Sequence, residues 1–378
     1  MAKTKNVYQS NNPTELFLFA QTLLQWHKQN PRPLPWKQTQ DPYKIWLSEV
    51  ILQQTRVEQG LPYYLRFVEQ YPTVENLANA QTDELMRLWE GLGYYSRARN
   101  LHETAKQVVN QMNGKFPDSY KGLLTLKGIG NYTAAAIASF AFGLSHAVLD
   151  GNVYRVLARY FGIETPTDTT QGKKEFEQLA NQAINPQYPA EYNQAIMDFG
   201  ALQCTPSKPN CLFCPLSTTC YAFLNQKTSD LPIKTKKIVR KKRFFNYILI
   251  KNAQGEIYIV RREKRDIWQH LYEFPLIETD TPPSNPNTLN EHPIWKEWFG
   301  NDIANLPKIA QLEQIKHYKQ LLTHQEIYAQ FWECRLPEHT ECPIPQALFV
   351  NPKEIENYAF PKIINQYWQD KKHQNTIF

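Results

Sequence analysis

A chain of 378 residues exceeds the usual length of one domain, so the sequence predicts two domains that each bury a core. Its net charge of +6 is mild for a protein that binds nucleic acid, so basic residues must be concentrated locally to matter. No stretch has the pattern of a signal peptide, and none approaches the roughly eighteen apolar residues of a membrane span. These exclusions predict a protein of the cytoplasm, associated with the bacterial nucleoid, or of the nucleus, without membrane contact.

The part before residue 231 has a helical pattern almost throughout. Leu16, Phe19 and Leu23 follow the three-and-four spacing of a helix with one buried face, and Thr82 and Ser96 begin two further helical runs. The sequence therefore predicts an all-α domain over residues 1–230.

Glu49 lies in one of these helices among mostly apolar neighbours. Ile45, Trp46 and Leu52 stand three or four positions away, on the same side of the helix. Burial there would disfavour the charged carboxylate, so Glu49 could hold a proton at neutral pH and act as a general acid. The alternative is a solvated glutamate at the edge of the helix.

The segment Leu126–Gly130 has the pattern L-x-G-x-G and precedes an alanine-rich run over Tyr132–Phe142. Gly128 and Gly130 carry no side chain, so backbone amides there can approach a phosphate, and the N-terminus of the next helix favours an anion. Alone, the pattern is more often a tight turn. Between two helical runs it predicts a helix-hairpin-helix that holds the DNA backbone without reading sequence.

Asp150 follows this hairpin by twenty residues and comes just before the helical run Val153–Phe161. An aspartate before a helix is most simply an N-cap. At this distance behind the hairpin, however, the chain can also return the carboxylate to the mouth of the same groove. A carboxylate there could stabilise a sugar cation, and the residues alone leave both interpretations open.

Six cysteines fall in the second half of the chain, and four have the spacing C-x6-C-x2-C-x5-C: Cys204, Cys211, Cys214 and Cys220. In a reducing compartment such a set indicates metal ligation rather than disulfides. Zinc sites usually have two close cysteine pairs, and this set has one, which favours an iron–sulfur cluster over zinc. For Cys334 and Cys342 we expect ordinary buried or surface roles.

A basic stretch over Lys234–Arg243 marks the main boundary. The sequence predicts a linker over residues 231–243 and a smaller α+β domain over residues 244–378. The predicted elements are strands over Phe244–Lys251, Glu256–Arg261, Ala310–His317 and His324–Cys334, a surface loop over Thr279–Pro293 and a last helix over Pro361–Asp370.

Four segments followed by the cysteines resemble the MutY family of adenine DNA glycosylases. They are WLSEVILQQTRV (Trp46–Val57), EGLGYYSRARNL (Glu90–Leu101), LKGIGNYTAAAI (Leu126–Ile137) and LDGNVYRVLAR (Leu149–Arg159). The resemblance implies an N-terminal all-α helix-hairpin-helix glycosylase fold with one [4Fe-4S] cluster, followed by a C-terminal α+β Nudix-like domain. It also implies a monomer that removes adenine from double-stranded DNA, where the adenine is mispaired with 8-oxoguanine or guanine.

The resemblance assigns roles to individual residues. Glu49 would protonate adenine, with Asp150, Tyr132 and Asn152 completing the catalytic group. The positions that enter the DNA at the lesion or contact the opposite base are Gln54, Thr55, Leu92 and Tyr94. The family's recognition loop in the second domain falls on Leu322-Thr323-His324, where its aromatic residue is lost.

One departure lies near the expected adenine pocket. The family's L-P-W-R is Leu34-Pro35-Trp36-Lys37 here, which replaces a two-pronged guanidinium by a point charge. Lys37 would then hold the strand differently, and Arg32 could substitute for the missing arginine.

One enzyme alternative stays open, and a second, an active Nudix hydrolase, is excluded by the residues of the C-terminal domain. In the related endonuclease III family a lysine stands at the position of Tyr132 and forms a Schiff base that leads to strand cleavage, whereas a phenol cannot. An active Nudix hydrolase would need the motif R-E-x-x-E-E to hold magnesium, and a proline-rich run follows Leu271–Pro275 instead.

A catalytically silent iron–sulfur DNA-binding protein is the non-enzymatic alternative, although it would not need both Glu49 and Asp150.

Overall fold

The computed structural model describes residues 12–235, 239–299, 317–337 and 344–375. Its contacts divide the chain into two compact units. The helical unit combines Met1–Asn79 with Asn100–Lys236, and the sheet unit combines Ala80–Arg99 with Lys237–Phe378. The short segment Ala80–Arg99 thus groups with the C-terminal residues, which the sequence does not predict.

The helical pattern of the first part is confirmed. The helices are α1 (Pro13–Gln29), α2 (Pro42–Leu52), α3 (Val57–Gln70), α4 (Val74–Ala78), α5 (Thr82–Leu88), α6 (Ser96–Met112), α7 (Tyr120–Leu123), α8 (Asn131–Phe142), α9 (Gly151–Phe161), α10 (Thr170–Ala183), α11 (Pro189–Leu202) and α12 (Tyr221–Leu224). A single 3-10 turn covers Pro35–Lys37. Among the described residues, no helix is long and apolar enough to cross a membrane.

The core of the helical unit lies between α1, α8, α9, α10 and α11. Phe19, Leu157 and Phe176 are fully buried there. The alanine-rich α8 is buried over Ala134–Ala136, and its small side chains let neighbouring helices approach closely. This packing fixes the N-terminal ends of α8 and α9, where the candidate catalytic side chains lie.

The hairpin between α7 and α8 requires glycine at the first of its two glycine positions. Gly128 has a φ of +77°, and a Cβ added there would lie 2.8 Å from the Cβ of Asn100. Gly130 caps α8 in an extended conformation, and a Cβ there would meet nothing within 4 Å. Gly128 is therefore needed by the turn itself, whereas at Gly130 the missing side chain leaves open space in front of the helix.

The sheet unit contains three of the four strands predicted from the sequence. Its described strands are β1 (Lys241–Lys251), β2 (Ile257–Arg261), β3 (Tyr272–Glu273), β4 (Leu276–Thr279), β5 (Tyr318–Leu321), β6 (Gln325–Arg335) and β7 (Leu348–Val350). Of these, β1, β2 and β6 correspond to predicted strands. Besides α5, its described helices are α13 (Pro286–Asn290), α14 (Pro293–Phe299) and α15 (Lys362–Asn375). In the described residues the strand order is β3-β2-β1-β6-β5, with β4 paired to β1 and β7 to β2. The two long central strands, β1 and β6, run parallel and are buried along most of their length.

Polar contacts explain why Ala80–Arg99 groups with this sheet. Asp83 accepts a hydrogen bond from the Tyr272 hydroxyl at 3.0 Å and forms an ion pair with Arg261 at 3.1 Å. At the other end of the segment, Arg99 donates from Nη1 to the Gln269 carbonyl at 2.8 Å. Local sequence patterns cannot predict contacts between residues so distant in the chain.

The prediction of a surface loop over Thr279–Pro293 is wrong in part. Within Thr279–Pro293 the structure has the short helix α13, because Asn285 caps it and Pro286 occupies its first turn, where proline is favoured. Strand β1 begins at Lys241, within the stretch assigned to the linker. The strand predicted over Ala310–His317 and the residue Cys342 lie almost wholly outside the described residues.

Candidate active site

Glu49 is buried on α2, with 6% of its surface exposed. The Tyr132 hydroxyl, from the first turn of α8, donates a hydrogen bond to Glu49 Oε2 at 2.6 Å. Burial raises the pKa of Glu49 to about 7, although the Tyr132 hydrogen bond and the positive charge of Lys37 oppose the rise. A substantial fraction of this carboxyl therefore carries a proton at neutral pH, as a general acid requires.

Asp150 is both an N-cap and part of the same group. Its Oδ1 accepts hydrogen bonds from the backbone amides of Asn152 at 2.8 Å and Val153 at 2.7 Å, and its Oδ2 accepts from Asn152 Nδ2 at 2.7 Å. Burial raises the pKa of Asp150, and these three hydrogen bonds oppose the rise. They stabilise the charged form of the carboxylate and fix its direction.

The carboxyl groups of Glu49 and Asp150 interact electrostatically. The charge on Asp150 contributes to the raised pKa of Glu49, and both carboxyls help burial to raise the pKa of Tyr132 well above its ordinary value. Tyr132 therefore stays a neutral phenol that donates to Glu49. Two neighbouring carboxyls in different surroundings are the arrangement that separates an acid from a charged partner.

Arg155 connects this group to the cysteine loop. Its Nη2 donates to Asn152 Oδ1 at 2.9 Å and to the Gly200 carbonyl at 2.6 Å, while Nε donates to the Cys204 carbonyl at 2.7 Å. Arg155 was not predicted from the sequence as a member of this group. The available signal was an arginine inside the otherwise apolar stripe of α9, where an unpaired charge would be costly.

Lys37 and Arg32 both form ion pairs with Asp198, a residue that was not predicted from the sequence either. Asp198 is 3% exposed on α11. It forms a short ion pair with Lys37 and a longer one with Arg32 at 3.7 Å, and His27 Nδ1 lies 3.5 Å from it. Burial lowers the pKa of Lys37, while Asp198 opposes this. A buried acid inside a helix was the signal that could have revealed this cluster.

The four clustered cysteines line one small cavity and form no disulfide. Arg159 Nη1 lies 3.4 Å from Cys204 Sγ and donates to the Thr205 carbonyl at 2.7 Å. Burial raises the pKa of Cys211, Cys214 and Cys220, so their free thiols are neutral near pH 7. Within the described parts of the chain, no three His, Cys, Asp or Glu side chains converge on a single metal-ion position.

Gln54 and Thr55 follow the end of α2, so the helix that carries Glu49 also positions them. Gln54 has a φ of 56°, which is uncommon for a residue with a side chain. The Thr55 hydroxyl donates to the Gln53 carbonyl at 3.3 Å. Left-handed backbone at a residue with a side chain is a type of strain often found at functional sites.

Leu92, Tyr94, Thr323 and His324 line a cavity of about 500 Å³ within the sheet unit. The hydroxyls of Tyr94 and Thr323 lie 2.7 Å apart, although 229 residues separate them in the chain. Tyr94 has a φ of 47° and is 47% exposed. The structure thus brings together the predicted lesion contacts of Ala80–Arg99 and those of the C-terminal domain in one concave surface.

Comparison with known proteins supports both halves of this description. Residues 47–186 match the family described as HhH-GPD superfamily base excision DNA repair protein, and residues 246–370 match the NUDIX domain family. The adenine DNA glycosylase of Buchnera aphidicola subsp. Baizongia pistaciae is 37% identical over 318 residues, which cover 82% of this chain and 84% of that protein.

Solved structures agree on the helical part. A thermostable thymine-DNA glycosylase is 31% identical, with a TM-score of 0.53, covering 56% of this chain and 98% of that one. A trapped endonuclease III–DNA covalent intermediate, at 21% identity and a TM-score of 0.51, covers 57% of this chain and 99% of that one and shows the fold alone. With a relative 37% identical over most of both chains, this chain belongs to the adenine DNA glycosylase family of base excision DNA repair.

Proposed function

We propose that this enzyme removes adenine paired with 8-oxoguanine, or with guanine, and leaves the DNA strand intact. The observation that carries the proposal is the buried group of Glu49, Tyr132 and Asp150, in which the Glu49 pKa is about 7. Its substrate is double-stranded DNA, so we expect the enzyme to act in the cellular compartment that contains the chromosome.

The chemistry follows from the different states of the two carboxyls. Protonated Glu49 gives its proton to a ring nitrogen of the flipped-out adenine, which turns adenine into a better leaving group. The glycosidic bond then breaks with its electron pair on adenine, and ionised Asp150 stabilises the positive charge on the sugar. Water adds to the sugar, and its proton returns to the Glu49 carboxylate. The net reaction is hydrolysis of one bond.

Asn152 and Arg155 would act on this chemistry through Asp150. Asn152 holds Asp150 Oδ2, and Arg155 holds Asn152 from the other side. Because Arg155 can only donate, it must face the Asn152 carbonyl oxygen, which leaves the Asn152 NH₂ group to donate to Asp150. This hydrogen bond stabilises the charged carboxylate and fixes its direction. Both are positioning residues, with no contact to the leaving base required.

Tyr132 supports base removal without strand cleavage. Its hydroxyl is committed to Glu49, and a phenol cannot form the imine through which a lysine cleaves the strand. The endonuclease III alternative therefore lacks its nucleophile at this position.

The hairpin and the loop after α2 would hold the duplex. The open space at Gly130, together with the N-terminus of the 12-residue α8, suits a DNA phosphate, and Gly128 makes the turn that leads into it. Gln54 and Thr55 would enter the duplex beside the flipped adenine. Arg32 and Lys37 would hold the strand near the pocket, with Asp198 limiting their movement.

The cavity in the sheet unit would read the base opposite adenine. Leu92, Tyr94, Thr323 and His324 offer apolar surface, a stacking ring and hydroxyl groups in one place. These are groups that stack on a base and bond its edge.

The cysteine cavity fits one [4Fe-4S] cluster. Four cysteines without a disulfide supply the usual ligand set, and each iron of a cubane takes one thiolate, so the sulfurs need not converge on a single point. Bound there, the cluster would serve as a structural crosslink of the loop. Arg159 at Cys204 Sγ would help to offset the negative charge of the thiolates.

A glycosylase assay tests the proposal. Duplexes with adenine opposite 8-oxoguanine, guanine or thymine would be incubated with the purified protein, and abasic sites revealed by alkali. Excision opposite 8-oxoguanine and guanine, with intact strands before alkali, is the expected result. Pyrimidine excision or strand cleavage without alkali would support the endonuclease III alternative, and binding without excision the silent one.

A further inference from the structure

The cavity of the sheet unit is walled on one side by a strained loop. Residues 262–270 connect β2 to β3, and Trp268 and His270 have φ values of 59° and 68°. Such values are rare for residues with bulky side chains and persist only where the surroundings hold them. Asp266, Ile267 and Trp268 of this loop line the cavity.

Arg243 and Arg262 both hold the loop. Arg262 donates to Asp266 Oδ2 at 3.0 Å and to the Ile267 carbonyl at 3.1 Å, and Arg243 links the loop to the sheet. The Arg243 guanidinium makes two hydrogen bonds to Asp266, at 3.0 and 2.9 Å, and two to Glu278, at 2.6 and 2.7 Å. The remaining N–H donates to Gln325 Oε1 at 3.2 Å. All five donors of this side chain are thus used, and it is only 11% exposed.

The contact with Arg243 decides which way the Gln325 amide points. A guanidinium can only donate, so the carbonyl oxygen of Gln325 must face Arg243 and the NH₂ group must face elsewhere. Gln325 lines the cavity beside Thr323 and His324. Among the residues that the structure describes, no acceptor is found for that NH₂ group.

Gln320 offers the opposite chemistry in the same cavity wall. It stands on β5, just before the loop Leu322-Thr323-His324, as Gln325 stands just after it. Its Oε1 is buried and has no hydrogen-bond partner in the described part of the chain. A buried acceptor without a partner is costly, so a turn of the Gln320 side chain toward a donor on an occupant of the cavity would be favoured.

A guanine oxidised at C8 differs from guanine in two atoms of one edge: it gains a carbonyl acceptor at C8 and a hydrogen donor at N7. Resting on the proposed function, we propose that Gln325, oriented by Arg243, donates to the C8 carbonyl oxygen, and that Gln320 accepts from N7–H. Gln325 and Gln320 are specificity-determining residues, and Arg243 is a positioning residue.

Gln325→Glu is the sharpest test, because it keeps an oxygen for Arg243 and replaces the donor by a charged acceptor. Single-turnover excision of adenine would be measured opposite 8-oxoguanine and opposite guanine, with guanine as internal reference. The ratio of the two rates is expected to fall on the order of ten-fold, the usual size of a lost base contact. Gln254→Glu, the same change in the exposed turn between β1 and β2, is the matched control and should leave the ratio intact.

A base analogue separates reading from folding. 8-Bromoguanine carries a substituent at C8 but no carbonyl oxygen and no N7–H. Gln325→Glu, Gln320→Leu and Arg243→Lys should each lower excision opposite 8-oxoguanine and leave excision opposite 8-bromoguanine unchanged relative to guanine. Arg243→Lys belongs in the set because an ammonium cannot reproduce five fixed donors.

The outcomes are distinguishable. If the wild type prefers 8-oxoguanine and Gln325→Glu retains the full preference, the role of Gln325 is overturned while the proposed function stands. If the variants lower excision equally opposite all three bases, these residues are merely structural and the inference fails. If the wild type excises adenine equally well opposite 8-oxoguanine and guanine, the inference fails while the proposed function stands. If it excises adenine opposite neither base, the proposed function fails first.

Discussion

Tyr132 and Glu49 lie 83 positions apart in the chain and 2.6 Å apart in space, hydroxyl to carboxyl oxygen. The hydrogen bond stabilises the carboxylate, whereas burial stabilises the protonated acid more strongly, and the pKa of Glu49 settles at about 7. The acidity of the candidate proton donor is therefore set by the balance of these two effects.

This balance predicts the pH dependence of excision. The active form of Glu49 is protonated, so the single-turnover rate should decline as pH rises through about 7. Tyr132→Phe removes the contact that lowers the Glu49 pKa, and the decline should then move to higher pH. The measurement is a pH profile of both proteins on the same duplex. A decline that stays in place or moves to lower pH in Tyr132→Phe would contradict the assignment.

Glu49→Gln and Asp150→Asn should each slow excision by roughly 10²–10⁴-fold, the usual contribution of a positioned acid or charge. Asparagine caps a helix about as well as aspartate, so Asp150→Asn should keep α9 folded while removing the charge. Binding to the lesion duplex should persist in both. Glu69→Gln, at an exposed position of α3, is the control. Near wild-type excision by either variant would show that the roles are misassigned.

Borohydride trapping should yield little covalent protein–DNA adduct, because no amine replaces the phenol of Tyr132. Tyr132→Lys should gain some trapping, since it places an amine in the same buried group. The readout is a shifted band on a denaturing gel with labelled DNA. Efficient trapping by the wild type would restore the endonuclease III alternative.

Arg155→Leu should slow excision while leaving duplex affinity nearly intact, because it removes the donor that holds Asn152. The effects of Arg155→Leu and Asn152→Ala should not add, since both act through Asp150. A double-mutant cycle on single-turnover rates measures this coupling. Arg66→Leu, at an exposed position of α3, should have no effect, and full additivity would place Arg155 outside the catalytic group.

Purified protein should be yellow-brown and contain about four irons for each chain, as a cubane cluster on four cysteines requires. Elemental analysis and the visible spectrum provide the measurement. One stoichiometric zinc in a colourless protein would refute the cluster while leaving the arguments on Glu49 and Asp150 untouched.

Local sequence patterns predicted the features that depend on residues close together in the chain. The apolar neighbours of Glu49 indicated its burial, and the position of Asp150 before a helix indicated its cap, which the hydrogen bonds confirm. The strands β1, β2 and β6 followed from alternation and composition. The placement of Asp198 against Lys37 did not, because such pairs depend on how distant helices pack.

The chain order also concealed the true extent of the sheet unit. Ala80–Arg99 is enclosed in sequence by the glycosylase match over residues 47–186, yet it groups with Lys237–Phe378. A hybrid enzyme made by joining two relatives at residue 236 would therefore take Tyr94 from one parent and Thr323 from the other. In such a hybrid, discrimination between bases should depend on how well Tyr94 from one parent fits Thr323 from the other. Recombination within this family is therefore expected to succeed best when residues 80–99 come from the same parent as the C-terminal half.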